Sequence, residues 1–409
     1  MQDLLSKKVE TQELLSNRVK AMEASATLAM AAMSRELSSK GIDVISLSLG
    51  EPDFATPEHI KKAAKEAIDT GYSHYMPVPG YMDLREAISN KFKRDNGLDY
   101  APAQIVVSTG AKQTLANLMM SLINEGDEAV MPVPYWVSYA AQIKLAGGKI
   151  VEIPTSIDVD FKANPEQLEA ALTDKTKIFM YSSPCNPSGS VYTQEELEGL
   201  AKVLENYPNV IIIADEIYEH INFTEAHASI GAIESLKDRV VTVNGLSKGF
   251  AMTGWRLGYM GAPLEIAKAC TKLQGQFTSG TCGITQRAAI AALGDNIEPT
   301  LKMKEKFLSR KKLILEKLNE IEGLKVNDPQ GAFYVFPDAS SFIGKTTPAG
   351  ETINNVDDLS MYILNVGHVA VVSGASFGIP SCFRISYAAA DEKILEAMSR
   401  MKDCLGKLS

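Results

Sequence analysis

The sequence predicts an α/β fold: a large unit built on a mostly parallel sheet, with a smaller α+β unit after it. Three observations lead there. From about residue 84 to 265, short runs rich in Val and Ile alternate with amphipathic stretches of helical period. Strands separated by helices need crossover connections, which make neighbouring strands parallel and cover both faces of the sheet. Beyond about residue 295 the alternation gives way to one long charged helix and three further apolar runs. A chain of 409 residues is long enough for two such units.

Taken in order, residues 4–38 read as helical with a turn or two, with Leu28, Ala31, Ala32 and Leu37 near one face. Met22, Met30 and Met33 are expected to pack against a partner. Asp43–Leu49 alternates as a short strand that stops at Gly50-Glu-Pro-Asp-Phe, and a helix follows over about 57–70. Ile105–Ser108, Ala129–Met131, Ile150–Ile153, Lys177–Tyr181, Val210–Ala214 and Val240–Val243 read as strands. Gly110 opens a helix rich in Leu and Met, and Thr193–Tyr207 has helical spacing with an acidic first turn. The long helix covers roughly 295–320, with alternating charges on a solvated face. Gly331–Phe336, Val369–Val372 and Cys382–Tyr387 complete the smaller unit.

Composition narrows the function classes. Apolar residues make up 45% and charged residues 22%, ordinary for a globular chain. The formal net charge of −9 argues against general nucleic-acid binding, which needs a basic surface. No apolar run approaches the ~20 residues of a membrane helix, and the N-terminus has no apolar signal core. Five widely spaced cysteines (Cys185, Cys270, Cys282, Cys382 and Cys404) form no CxxC pair, so reduced thiols packed as small apolar residues are expected. The histidines His59, His74, His220, His227 and His368 show no paired-ligand spacing, and no metal is expected. These features together predict a soluble cytoplasmic protein.

In open α/β sheets ligands sit at the carboxyl ends of the strands. Here those ends carry Thr109-Gly-Ala-Lys, Ser183-Pro-Cys-Asn-Pro-Ser-Gly, Asp215-Glu-Ile-Tyr and Asn244-Gly-Leu-Ser-Lys. The last runs on as Gly245-Leu-Ser-Lys248-Gly-Phe-Ala-Met-Thr-Gly-Trp-Arg256-Leu-Gly. This segment resembles the cofactor-lysine segment of the class I aminotransferases, of the fold-type-I family that uses pyridoxal 5′-phosphate (PLP). The resemblance extends from about residue 17 to the C-terminus and is closest to the Iβ aspartate aminotransferases.

That resemblance implies a role for each candidate, and chemistry supports most of them. PLP needs a lysine amine to hold its aldehyde, and the same amine can shuttle the substrate α-proton; both roles fall to Lys248. The phosphate is expected on Gly110, Ala111 and Lys112 at a helix N-terminus, with Ser247 and the guanidinium of Arg256. Tyr75 is implied to reach the phosphate in a partner subunit, so a homodimer with shared active sites is expected. Asp215 would keep the ring nitrogen protonated. Tyr218 and Asn186 resemble the pair at the ring's phenolic oxygen, and Trp136 the aromatic over the ring. Arg384, between Phe383 and Ile385 on an expected strand, would fork the substrate α-carboxylate together with Gly50 and Asn186, because burying it unpaired would be costly. Closure of the small domain would bring Gly50 and Arg384 in and exclude water.

Thr27 and Lys112 resemble the residues near the distal carboxylate of a dicarboxylic substrate. The segment Gln274–Cys282 has no basic residue, so the distal arginine of the larger aspartate enzymes is unmatched. The implied reaction is aspartate:2-oxoglutarate transamination. An aromatic or prephenate aminotransferase, or a carbon–sulfur β-lyase on the same scaffold, stays open. The expected division is 1–50 as N-terminal arm and part of the small domain, 51–297 as large PLP-binding domain, and 298–409 as C-terminal small domain.

Overall fold

The computed structural model describes residues 14–294 and 296–409. Residues 4–13 of the expected N-terminal helix lie outside the described residues. The remainder of that stretch divides into α1 (Asn17–Lys20) and α2 (Ala26–Ser39). Along α2 the buried residues are Met30, Ala31 and Ser34, while Leu28 is 62% exposed. Met30 packs with Met33 and Leu37 on Leu364 and Ala370. The expected face is therefore rotated, because only a narrow stripe of α2 meets the smaller unit. Within the chain Met30 is buried and Met33 half-buried against the smaller unit, while Met22 is exposed.

β1 (Ile45–Ser46) precedes α3 (Glu58–Asp69) and α4 (Met82–Lys91), which runs directly into a π-helical turn over Phe92–Asn96. The alternating region follows: β2 (Ile105–Ser108), α5 (Ala111–Leu122), β3 (Glu128–Pro132), α6 (Val137–Leu145), β4 (Lys149–Ile153), α7 (Pro165–Ala171), β5 (Thr176–Ser182), α8 (Gln194–Leu204), β6 (Ile211–Asp215) and β7 (Val240–Gly245). Thr193 caps α8 in a capping box with Glu196, the local signal that ends the preceding loop. Then come β8 (Gly258–Gly261), α9 (Leu264–Phe277) and α10 (Gly283–Ala292).

The strands form one sheet in the order β2-β8-β7-β6-β5-β3-β4. All neighbours are parallel except β8, which runs antiparallel to β2 and β7. The strand β8 has no counterpart among the sequence expectations. Its Gly-Tyr-Met-Gly has weak strand propensity, and the glycine is required for another reason. A Cβ at Gly258 would collide with the backbone at Gly110 and Ala111, where α5 begins. Both sheet faces are covered: Ile178, Met180 and Ile213 pack on one side, Phe179, Ile212 and Ala214 on the other.

The smaller unit holds α11 (Glu298–Leu318), β9 (Tyr334–Val335), α12 (Val356–Gly367), β10 (Val369–Ala370), β11 (Val372–Ser373), β12 (Phe383–Ser386) and α13 (Asp391–Leu405). The run 369–372, expected as one strand, changes partner at Val371. β10 pairs in parallel with β1, and β11 pairs antiparallel with β12. The N-terminal arm is thereby tied to the C-terminal part, over a core that includes Phe307, Phe333 and Ile385. On α11, Arg310 and Lys311 are buried rather than solvated. Arg310 forks both oxygens of Asp53 at 2.6 and 2.7 Å and lies over Phe54. The described cysteines are all free, and only Cys282 is exposed. Among the described residues no helix is long and apolar enough to cross a membrane.

Candidate active site

The carboxyl ends of β5, β6 and β7 open onto a cavity of about 280 Å³. Its walls bring together the sequence candidates Thr27, Gly50, Ala111, Lys112, Trp136, Asn186, Asp215, Tyr218, Ser247, Lys248, Arg256 and Arg384. Gly110 is not itself in the wall but sits one residue behind it. Its φ is +84°, and a Cβ there would lie 2.5 Å from the Arg256 guanidinium. Tyr75 is outside the cavity and 98% exposed.

Lys248 follows β7, and its ammonium donates to the Gly50 carbonyl. Burial, with Arg384 nearby, brings its pKa down to about 8. Asp215 ends β6 and is 3% exposed. Its carboxylate accepts from the Tyr139 hydroxyl at 2.6 Å and from the Ile217 N–H at 3.2 Å. Burial outweighs both bonds and pushes the carboxyl up to about 6. A cation placed beside Asp215 would reverse that balance, and a protonated ring nitrogen is such a cation.

At the other end of the cavity, α5 begins at Ala111 directly after Gly110. The first turn of a helix leaves N–H groups unpaired and carries the positive end of its dipole. Arg256 reaches this place from a left-handed backbone conformation (φ 56°), its guanidinium donating to the Thr253 carbonyl at 2.9 Å. The resulting cradle of N–H groups, Ser247 and a guanidinium suits a phosphate. Lys112 holds its ammonium 4.9 Å from the Trp136 ring centre. Desolvation and the Arg256 charge lower its pKa.

Arg384 lies on β12, 2% exposed, between the rings of Tyr334 and Phe377. It donates to Asn186 Oδ1 at 2.9 Å and to the Ser48 carbonyl at 2.6 Å. Its Nε is buried without a partner, and so is the Thr27 hydroxyl. Both residues line the cavity, and a buried guanidinium is costly unless a partner or ligand offsets it. Gly50 and Arg384 line the same cavity, and a Cβ at Gly50 would collide with the Tyr334 hydroxyl.

Several lining residues had no place in the sequence reading. Tyr139 stands three positions after Trp136 on α6, a spacing that puts both on one face and could have flagged it. Tyr334 shares a 2.7 Å hydrogen bond with the Tyr218 hydroxyl, yet it sits in a run legible only as a strand. Ser182, Ile217 and Thr253 also contribute. Glu216, Glu219 and His227 place one ligand atom each within 4.8 Å of one another, a grouping formed by a loop that linear spacing hides. No metal was expected there. The Lys91 ammonium already lies against Glu219 in that grouping.

Comparison with known proteins agrees with this geometry. The family model for aminotransferase class I and II matches residues 42–401. An aspartate/prephenate aminotransferase of Cereibacter sphaeroides is 45% identical over 397 residues, covering 97% of this chain and 99% of the relative. The crystal structure of an aspartate aminotransferase from Rhizobium meliloti superposes with a TM-score of 0.94 at 40% identity, covering 97% of this chain and 99% of that one. A Thermus thermophilus aspartate aminotransferase with maleate gives 0.89 at 38% identity, covering 95% and 99%. Matches spanning nearly the whole of each chain, on top of a half-buried lysine and a buried arginine in one cavity, leave one conclusion: the chain belongs to the class I and II aminotransferases.

Proposed function

We propose that this aminotransferase binds PLP through Lys248 and transfers the amino group of aspartate to 2-oxoglutarate, giving oxaloacetate and glutamate. The observation that carries the reading is the pairing, in one cavity, of a half-buried lysine at a strand end with the buried guanidinium of Arg384. When bound, PLP supplies an electron sink for the substrate α-carbon. The rest of the chemistry belongs to the chain. Asp215 would hold the ring nitrogen protonated, and Tyr218, Asn186 and Trp136 would hold the ring. The start of α5 at Gly110, Ala111 and Lys112 would hold the phosphate with Ser247 and Arg256. Arg384, Gly50 and Asn186 orient the substrate α-carboxylate. Lys248 Nζ would take the α-proton and return it once its amine is neutral, and burial, by lowering its pKa, favours that neutral form.

The distal carboxylate of aspartate meets Lys112 and the unpartnered Thr27 hydroxyl. The Thermus relative's maleate is a four-carbon dicarboxylate, the shape this end suits. A second reading has support from the Cereibacter relative, whose name includes prephenate. Prephenate too carries a second carboxylate. A homodimer completes the site, with Tyr75 supplied by a second copy; exposed Leu14, Val19, Leu28 and Phe277 supply apolar surface for that contact. In this reading 51–297 is the PLP-binding domain, and 298–409 with part of 1–50 is the small domain. Free thiols suit a cytoplasmic setting.

The test is the absorption spectrum of the purified holoenzyme. Aspartate alone should move the visible or near-ultraviolet cofactor band to shorter wavelength, and 2-oxoglutarate should restore it. A band that aspartate leaves unchanged overturns the aspartate assignment. Oxo acid and ammonia released from cystathionine alone would identify a β-lyase instead.

A further inference from the structure

The turn after β6 has two faces. Asp215 and Tyr218 face the cavity, while Glu216, Glu219 and His220 face away from it into the protein. There they meet Lys91, the last residue of α4, which is 1% exposed. The Lys91 ammonium lies against Glu219 and donates to Asn96 Oδ1 at 2.6 Å. Asn96 in turn donates to Glu216 at 3.1 Å and to Glu219 at 2.6 Å. Ser229 donates to Glu216 at 2.6 Å, and His227 Nε2 is 3.0 Å from the same carboxylate.

The π-helical turn explains how this assembles. Lys91 and Asn96 are five residues apart, and a π-turn of i→i+5 bonding brings such a pair onto one side. An α-helix would have separated them. Gly97, left-handed at φ 69°, then ends the element. The same buried face also touches the lysine segment: His220 packs on Gly249, where a Cβ would come within 2.9 Å, and against the Phe250 ring.

The charges balance. Burial disfavours ionised Glu219, but the Lys91 ammonium above all holds its pKa down to about 2. Burial pulls His227 down, and Glu216 more than compensates, so its pKa is raised. His220 is lowered by burial against the pull of Glu219, leaving it neutral. Asp95 stands 3.9 Å from Lys91 at the cluster's edge. The phenols of Tyr181 and Tyr259 are pushed well up by burial, with Glu216 and Glu219 adding to it, and stay neutral. The Glu216 and Glu219 carboxylates thus face the Lys91 ammonium and an imidazole, His227, whose pKa Glu216 raises. Stability alone does not account for such a cluster, since apolar residues of the same volume commonly stabilise a fold as well or better.

We propose that the buried cluster of Lys91, Asn96, Glu216, Glu219 and His227 positions the cofactor-binding turn, fixing Asp215 and Tyr218 from behind and balancing the charge beside Asp215. Lys91 and Glu216 are positioning residues, not catalytic ones. The inference rests on the PLP reading above. Lys91→Met removes a positive charge from behind Asp215, whereas the isosteric Glu216→Gln removes a negative one.

The experiment uses the full-length holoenzyme and its apoprotein. Two quantities are read: the PLP dissociation constant, and the pH midpoint of the lysine-bound cofactor's absorption. Lys91→Met should move the midpoint up and Glu216→Gln should move it down, each by about half a pH unit. Both should weaken PLP binding about tenfold, and Lys91→Arg should restore most of the parent values. A role confined to folding would not give shifts of opposite sign. Midpoints that stay with the parent, or move the same way in both variants, overturn the inference. If Lys91→Met does not fold, Glu216→Gln decides alone: a downward shift supports the inference, and any other result overturns it. A parent that transaminates while both variants match it refutes the inference alone. A parent that neither binds PLP nor responds to aspartate refutes the proposed function and the inference with it.

Discussion

Asp215 should make the apoprotein less stable at neutral pH, and replacing it with Asn should show by how much. The carboxyl rises from an ordinary 3.8 to about 6 because the folded chain buries it. That rise corresponds to about 3 kcal/mol, at 1.36 kcal/mol for each tenfold change in proton affinity. The folded state binds this proton more tightly than the unfolded chain does. Its stabilising effect is therefore complete below pH 3.8 and is lost as pH climbs through about 6. An Asn cannot ionise, so Asp215→Asn should stabilise the apoprotein above pH 6 and do almost nothing near pH 4. The Tyr139 and Ile217 bonds limit the gain, since an amide accepts at only one atom. An unfolding entropy of about 2.1 cal/mol/K per residue turns 3 kcal/mol into a melting shift of about 3 °C for a chain this long. Calorimetry of both apoproteins at pH 5 and pH 7 checks it: the difference at pH 5 should be about half that at pH 7. Saturating PLP should reverse the order, because the ring cation favours the carboxylate only in the parent. A difference that does not change with pH, or a parent that melts higher at pH 7 without PLP, would refute the reasoning.

Other outcomes follow from the same geometry. Arg384→Lys keeps the charge but loses the fork and the stacking on Tyr334 and Phe377; steady-state kinetics should show kcat/KM for aspartate down about 30- to 1000-fold, mostly through KM. Gly110→Ala forces a Cβ to 2.5 Å from the Arg256 guanidinium at a φ of +84°; titration of the apoprotein should show PLP affinity reduced about tenfold or more, with the dicarboxylate preference unchanged. Lys112→Met should lower kcat/KM for aspartate about tenfold or more while leaving aromatic amino acids much less affected, which comparison of the two substrates would show.

Much of this site was legible in the sequence because its elements are local. Strand ends carry the ligand groups in α/β sheets, and the runs at 105–108, 177–181 and 240–243 lie within or close to the strands β2, β5 and β7. The lysine segment could be recognised because Lys248 and Arg256 are fixed by one contiguous stretch. Tyr75 lies outside the cavity of its own chain and is exposed. The face of α2 was misread because periodicity gives the width of an apolar stripe but not which part of it meets a neighbour. The two-strand split at Val371 was invisible for a similar reason: a run of Val has the same pattern whether it stays with one partner or changes.

The sequence by itself determined the alternating architecture, the strand ends that open onto the cavity, and the side-chain types that line it. Those properties depend on spacing along the chain, on turn residues and on side-chain type. The tertiary structure decided the rest: the antiparallel β8 wedged against the start of α5, the Tyr139 bond to Asp215, the Tyr334 bond to Tyr218, and the ion cluster behind the β6 turn. Lys91 and Glu219 are 128 positions apart in the chain. No local pattern marks them as partners, because only packing sets the distance between them and only burial gives their charges force.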